Sequence, residues 1–87
     1  MEHPHKHASH PAISKRLKRA NGHLNRVITM IDEGAACHDI AQQLYAVERA
    51  LTNAKRTLIQ EHIDHCLEES ATNSASIETF KAIAKYL

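Results

Sequence analysis

The chain lacks most of what makes a small protein self-sufficient. Its 87 residues include no tryptophan, one phenylalanine, two tyrosines, two glycines, two prolines and two cysteines. A chain this short makes one domain with a modest core, and a metal, disulfides or a partner subunit is expected to complete it. No apolar run is long enough to span a bilayer. The opening MEHPHKHASHP has no apolar core of the kind a secretory signal carries. A cytoplasmic location without a membrane partner is therefore expected. In that compartment two thiols, Cys37 and Cys66, point to ligation or reactivity rather than to a structural bridge. No alternating strand pattern and no internal repeat is present. Nothing forms a catalytic triad, or an acid–base pair with a substrate cleft, so the chain is not expected to be an enzyme.

What is present is helical periodicity. Residues 1–10 read as a flexible, histidine-rich tail, and residues 11–87 as one helical domain. Ile13, Leu17, Ala20, Leu24, Val27 and Ile31 follow steps of four and three, the spacing of one helix face. Pro11 suits the first turn of that helix and Gly34 its stop; Gly22 would permit close approach of another backbone. A second stripe runs Ile40, Leu44, Val47, Leu51, Ala54, Leu58 and can continue through Ile59 and Ile63. No glycine or proline follows Gly34, so this helix is expected to run unbroken for about 45 Å. SATNSAS, residues 70–76, is a polar break. Ile77, Phe80, Ile83, Ala84 and Leu87 then form a short amphipathic helix. The expected fold is all-α, with helices over about 11–33, 37–69 and 76–87. Two long helices and a short one cannot enclose a core, so a helical hairpin sharing its apolar face with a second copy is expected.

The stretch EHIDHC, residues 61–66, raises the question of chemistry. His62 and Cys66 are four apart and share a helix face. Cys37 precedes His62 by twenty-five residues, about 37 Å along one helix, so one chain cannot close these three around an ion. An antiparallel second copy can, because Cys37 of one chain then meets His62 and Cys66 of the other. Two equivalent sites follow, related by a two-fold axis near Ala50 or Leu51. That midpoint lies in ERALTNAK, whose small residues admit a close neighbour. Cys37 sits near a helix start, where exposed amides favour negative charge. Two sulfurs and an imidazole suit Cu(I), Zn(II), Ni(II) or Co(II), and not Mg(II) or Ca(II). The plainer alternative makes both cysteines small apolar residues and His62 a surface polar one.

Charge is laid out unevenly. Lys6, Lys15, Arg16, Lys18, Arg19 and Arg26 precede Asp32 against one acid, Glu2, while Glu61, Asp64, Glu68 and Glu69 cluster late. Such asymmetry points to an anion, nucleic acid included; a solvated helix face is the ordinary explanation.

Three segments, RLKRANGHLNRV, CHDIAQQLYAVERAL and HIDHC, together resemble the CsoR/RcnR family of small bacterial transcriptional repressors over residues 11–69. The resemblance implies antiparallel dimers that pair into tetramers, sense a metal or thiol-directed signal between protomers, and bind operator DNA through basic helix surfaces. Ligand binding would then release the DNA. Carried over residue by residue, the ligand positions are Cys37, His62 and Cys66. In the nickel and cobalt branches a fourth is a tail histidine, which His5 matches, with His3, His7 and His10 as alternatives. The copper branch is supported by a tyrosine and a glutamate where this chain has Ala36 and Ala82, with Glu78 a turn away. The formaldehyde branch carries a proline where Glu2 stands and departs at Cys66. The persulfide branch lacks a histidine at the position of His62. These departures favour Ni(II) or Co(II), with Cu(I), Zn(II) or a thiol-reactive signal as alternatives.

The expected function is a metal-responsive repressor that leaves operator DNA on binding Ni(II) or Co(II). Lys15, Arg16, Lys18, Arg19 and Arg26 on the first helix, with Arg49 and Arg56 on the second, are the candidate phosphate contacts. A metal-storage or delivery protein, loaded through the tail and the EHIDHCLEE end, is the alternative from another class. His23 could touch phosphate.

Overall fold

The computed structural model describes residues 9–69 and 74–87, excepting the side chains of 66–69 and 74–76. Three helices follow one another: α1 (His10–Asp32), α2 (Cys37–Glu69) and α3 (Ser74–Ala84). Among the described residues there is no strand, and the all-α expectation holds. The first eight residues of the expected tail, and residues 70–73 of the expected break, lie outside the described residues. The rest of that break, from Ser74, is already helical. α3 stops at Ala84 rather than 87, where the Tyr86 and Leu87 amides turn back to the carbonyls of Ile83 and Ala84 at 3.0 and 3.1 Å.

Local chemistry accounts for the helix ends. Pro11 stands in the first turn of α1, where a missing amide proton costs nothing because no carbonyl lies behind it. At the other end Gly34 has φ 75°, a left-handed conformation that a side chain would resist. There the Ala35 amide donates to Met30 O at 2.9 Å and the Gly34 amide to Ile31 O at 3.1 Å. These are the paired bonds of a Schellman stop. The turn lays α2 antiparallel against α1. α2 then runs unbroken for 33 residues, because nothing in it removes a backbone donor or favours a bend.

The apolar stripes are only half used within the chain. Ile13, Ala20 and Val27 of α1 are buried, as are Val47, Ala54 and Ile59 of α2. The alternate positions stay open. Leu17, Leu24 and Ile31 keep between 37% and 54% of their surface, and Leu44, Leu51 and Leu58 between 39% and 45%. The small residues of ERALTNAK serve the hairpin itself: Ala54 is buried, while Ala50 borders a groove with Ala20. The expected close approach at Gly22 does not occur within the chain, since a Cβ there would meet nothing within 4 Å.

Two polar contacts pin the register. His23 Nε2 and Gln43 Oε1 lie 2.6 Å apart, and the Ser9 amide donates to Glu61 Oε2 at 3.2 Å. The molecule measures 57 × 29 × 14 Å, with a radius of gyration of 17.5 Å. A compact chain of this length would have about 12 Å. The smallest dimension is close to one helix diameter, about 10–12 Å. This is a single layer, whereas stable domains pack two or more.

Candidate metal centre and nucleic-acid interface

Cys37 is the first residue of α2 and its thiol is exposed and unbridged. His62 lies on the last third of the same helix and is half-buried. Since α2 is continuous, their helical separation stays about 37 Å. Among the described residues no three His, Cys, Asp or Glu side chains gather within one chain to hold an ion. The Cys66 backbone lies in α2, one turn past His62, but its side chain is outside the described residues, as is all of His5.

The open stripe of α2 connects these groups. Counting by sevens from Cys37 gives Leu44, Leu51, Leu58 and His65. His62 and Cys66 flank the last of these on adjoining rows of the helix surface. The exposed thiol and the imidazole end therefore occupy opposite ends of one apolar strip, whose three leucines have no full cover. A sulfur and nitrogen donor set of this kind fits a soft or borderline metal and not a hard one.

The α2 end is also where α1 begins. Ser9 caps α1 by position, but its hydroxyl makes no capping bond to the helix. It donates instead to Glu61 Oε1, while its amide donates to Oε2 of the same carboxylate. Sequence reading missed this pair. Its weak signal was a serine ahead of a helical proline, which reads as a cap for its own helix. His10 and His65 are half-buried with their Nε2 atoms buried. The structure thus places the start of α1, and so the root of the histidine-rich tail, beside the residue preceding His62.

Basic residues assemble along one flank of the hairpin. Arg16, Arg19 and His23 border a groove between α1 and α2 with Asn53 opposite. Asn53 also borders a second groove with Tyr45, Glu48, Arg49, Thr52 and Arg56, so one carboxylate stands among the arginines there. Four of the seven candidate phosphate contacts, Arg16, Arg19, Arg49 and Arg56, therefore form one continuous ribbon. Lys15, Lys18 and Arg26 are exposed on α1 but line neither groove. The Arg49 guanidinium lies 5.8 Å from the Tyr45 ring centroid and donates to its hydroxyl at 3.3 Å. That contact steadies the arginine by cation–π attraction. Asn53 was not singled out in the sequence, although its spacing from Arg49 and Arg56 puts all three on one face.

The family described as metal-sensitive transcriptional repressor matches residues 9–86. The chain is 40% identical over 55 residues to the copper-sensing transcriptional repressor CsoR of Mycobacterium ulcerans, covering 63% of this chain and 47% of that protein. It is 30% identical over 78 residues to CsoR of Mycobacterium tuberculosis, covering 86% of this chain and 66% of the relative. With CsoR of Bacillus subtilis it shares 29% identity over 80 residues, 84% of this chain and 79% of that one. The chain thus spans about half to two thirds of the mycobacterial relatives' length. No solved structure matches it.

Proposed function

The chain belongs to the family of metal-sensitive transcriptional repressors, and from that premise we propose that it is an operator-binding repressor whose metal site forms between two copies. The family is one of repressors and not of enzymes. In this reading Cys37 of one protomer meets His62 and Cys66 of the partner subunit. The observation that carries it is the open heptad strip on a hairpin one helix thick. Setting α2 antiparallel on its copy about Leu51 puts Leu51 on Leu51 and Leu44 on Leu58. It also puts Cys37 on the His65 row, between His62 and Cys66. One docking thus covers the leucines and completes the ligand set, in an isologous interface with two sites. Ile77, Phe80 and Leu87, also exposed, leave surface for pairing dimers into a tetramer.

The metal reading changes in the light of the relatives. Sequence departures at Ala36 and Ala82 placed Ni(II) and Co(II) ahead of Cu(I). The three relatives compared above are all named copper-sensing, and two thiolates with one imidazole suit a soft ion. Cu(I) therefore takes first place. Ni(II) or Co(II), with Zn(II) behind them, is a second reading, supported by the root of the tail at Ser9 beside Glu61. His5 is four residues from Ser9, a reach of about 14 Å. When bound, the ion supplies a fixed geometry linking the start of one α2 to the end of another. The chain's own residues do the rest. Arg16, Arg19, Arg49 and Arg56 hold phosphate oxygens in the metal-free state, and a few kcal/mol of preference for a different hairpin arrangement suffices to empty the operator.

The test is fluorescence anisotropy of operator DNA selected in vitro, with Cu(I), Ni(II), Co(II) and Zn(II) each titrated into the complex. Release by one metal at stoichiometric loading is expected. Metal bound with DNA affinity unchanged refutes the switch, and no salt-sensitive DNA binding at all returns the storage reading.

A further inference from the structure

Tyr45 is an aromatic side chain set among the arginines of α2. It lines one groove with Glu48, Arg49, Thr52, Asn53 and Arg56 and keeps 58% of its surface, so core packing does not account for it. Arg49 follows one turn later on the same helix face. Its guanidinium lies 5.8 Å from the ring centroid, and its Nη1 donates to the phenolic oxygen at 3.3 Å. Glu48 is nearer in sequence, but residues one apart do not face each other on a helix, and the guanidinium turns to the tyrosine. The phenolic oxygen accepts in this bond, so its own proton remains to be given. Among the described residues no acceptor takes it. The Tyr45 hydroxyl and the Arg49 guanidinium thus stand side by side as donors to an anion entering the groove.

We propose that Tyr45 and Arg49 bind one DNA phosphate together, which makes Tyr45 a direct DNA contact. A hydrogen bond to a phosphate oxygen spans about 2.7–3.0 Å, so donors 3.3 Å apart reach the same phosphate. The ring holds the guanidinium by cation–π attraction, and this lowers the ordering cost that a freely rotating arginine bears on binding. The hydroxyl adds a neutral donor beside the charged one. A phenol of this kind fixes position on the backbone without adding charge, in a chain whose formal net charge is only +1. The inference rests on the repressor reading and names a contact within its DNA surface.

The test uses the full-length, metal-free protein, with operator affinity measured across a salt series for the parent, Tyr45→Phe, Arg49→Gln and the double variant. Arg49→Gln is expected to lower the salt slope by about one. Tyr45→Phe keeps the ring and is expected to weaken binding roughly three- to tenfold with the slope unchanged, because the phenol carries no charge. In the Arg49→Gln background the same change is expected to cost less than about twofold, since nothing then holds the phosphate against the hydroxyl. A neutral methylphosphonate placed in turn along the operator backbone locates the contact: at one position and its symmetry mates it should cancel both single-variant losses. Circular dichroism melts and sedimentation confirm that each variant folds and assembles as the parent does. A Tyr45→Phe protein that binds as tightly as the parent overturns the proposal. So do equal tyrosine losses in both backgrounds, or losses cancelled at different phosphates. A tyrosine loss that disappears in a Glu48→Gln background also overturns it, by assigning the hydroxyl to that carboxylate. If the parent itself shows no operator binding, the repressor reading falls and this contact with it; if the parent binds and only the variants disagree, the shared phosphate alone falls.

Discussion

Leu51 is the residue on which the proposed dimer is most exposed to test. It keeps 45% of its surface in the single chain, and the proposed two-fold axis sets it against its own copy. Full burial of a leucine side chain stabilises by about 1.5–3 kcal/mol, so the part still open represents about 0.7–1.4 kcal/mol in each protomer. Both copies lose it together in a homodimer, and Leu51→Ala should therefore weaken association by about 1.4–2.7 kcal/mol, roughly ten- to a hundredfold in Kd. Alanine is the best helix former, so α2 itself is not weakened. Leu51→Glu adds two like charges facing each other and should abolish the dimer outright. Sedimentation equilibrium over a wide concentration range reads the constant directly. A thermal midpoint lower than the parent's at equal protein concentration would report the same loss. A Leu51→Glu protein that associates as tightly as the parent would refute the docking by this strip, and with it the shared metal site.

Further expectations follow from the same geometry. A protomer carrying Cys37→Ser mixed with one carrying His62→Ala should form heterodimers in which one site is intact and the other doubly broken; metal binding by the isolated heterodimer at half the parental stoichiometry checks this, and none at all would place the ligands within one chain. Arg16→Gln and Arg19→Gln should each lower the salt slope of DNA binding by about one, whereas Lys18→Gln, outside both grooves, should change it less in the same titration. Gly34→Ala should destabilise the hairpin by about 1–2 kcal/mol in urea unfolding, because its φ of 75° is left-handed; an unchanged midpoint would count against the Schellman turn. Exposure to formaldehyde or persulfide followed by mass spectrometry should leave Cys37 unmodified at signal concentrations, and a stoichiometric adduct that also releases DNA would favour the thiol-reactive alternative.

Much of the architecture was legible because it depends on near neighbours. The steps of four and three, Pro11 at a start, Gly34 at a stop, and the absence of any breaker beyond it specify where α1 and α2 run. The distance argument on Cys37 and His62 was likewise available, since a helix has a fixed rise. The Ser9–Glu61 pair was not legible. It joins residues 52 positions apart, and a serine before Pro11 reads locally as an ordinary cap. Nor was the arginine ribbon, because Asn53 gains its meaning only from standing opposite Arg16 and Arg19 on another helix. The choice among metals was drawn from departures at single positions and did not anticipate the copper-sensing names of the relatives.

The all-α class, the course of the two long rods, and a thiol and an imidazole too far apart on one rod to share an ion all follow from local residue order. Which half of each apolar stripe the hairpin uses does not, and came from the packing of α1 on α2. Ile13, Ala20 and Val27 went inward while Leu17, Leu24 and Ile31 stayed open; on the facing helix Val47 and Ala54 went inward and Leu44, Leu51 and Leu58 did not. Periodicity is a property of one helix and repeats within a turn. Which row of that helix meets a neighbour depends on the register and closeness of two rods, settled by contacts such as Ser9 with Glu61 and His23 with Gln43, between residues remote in the chain.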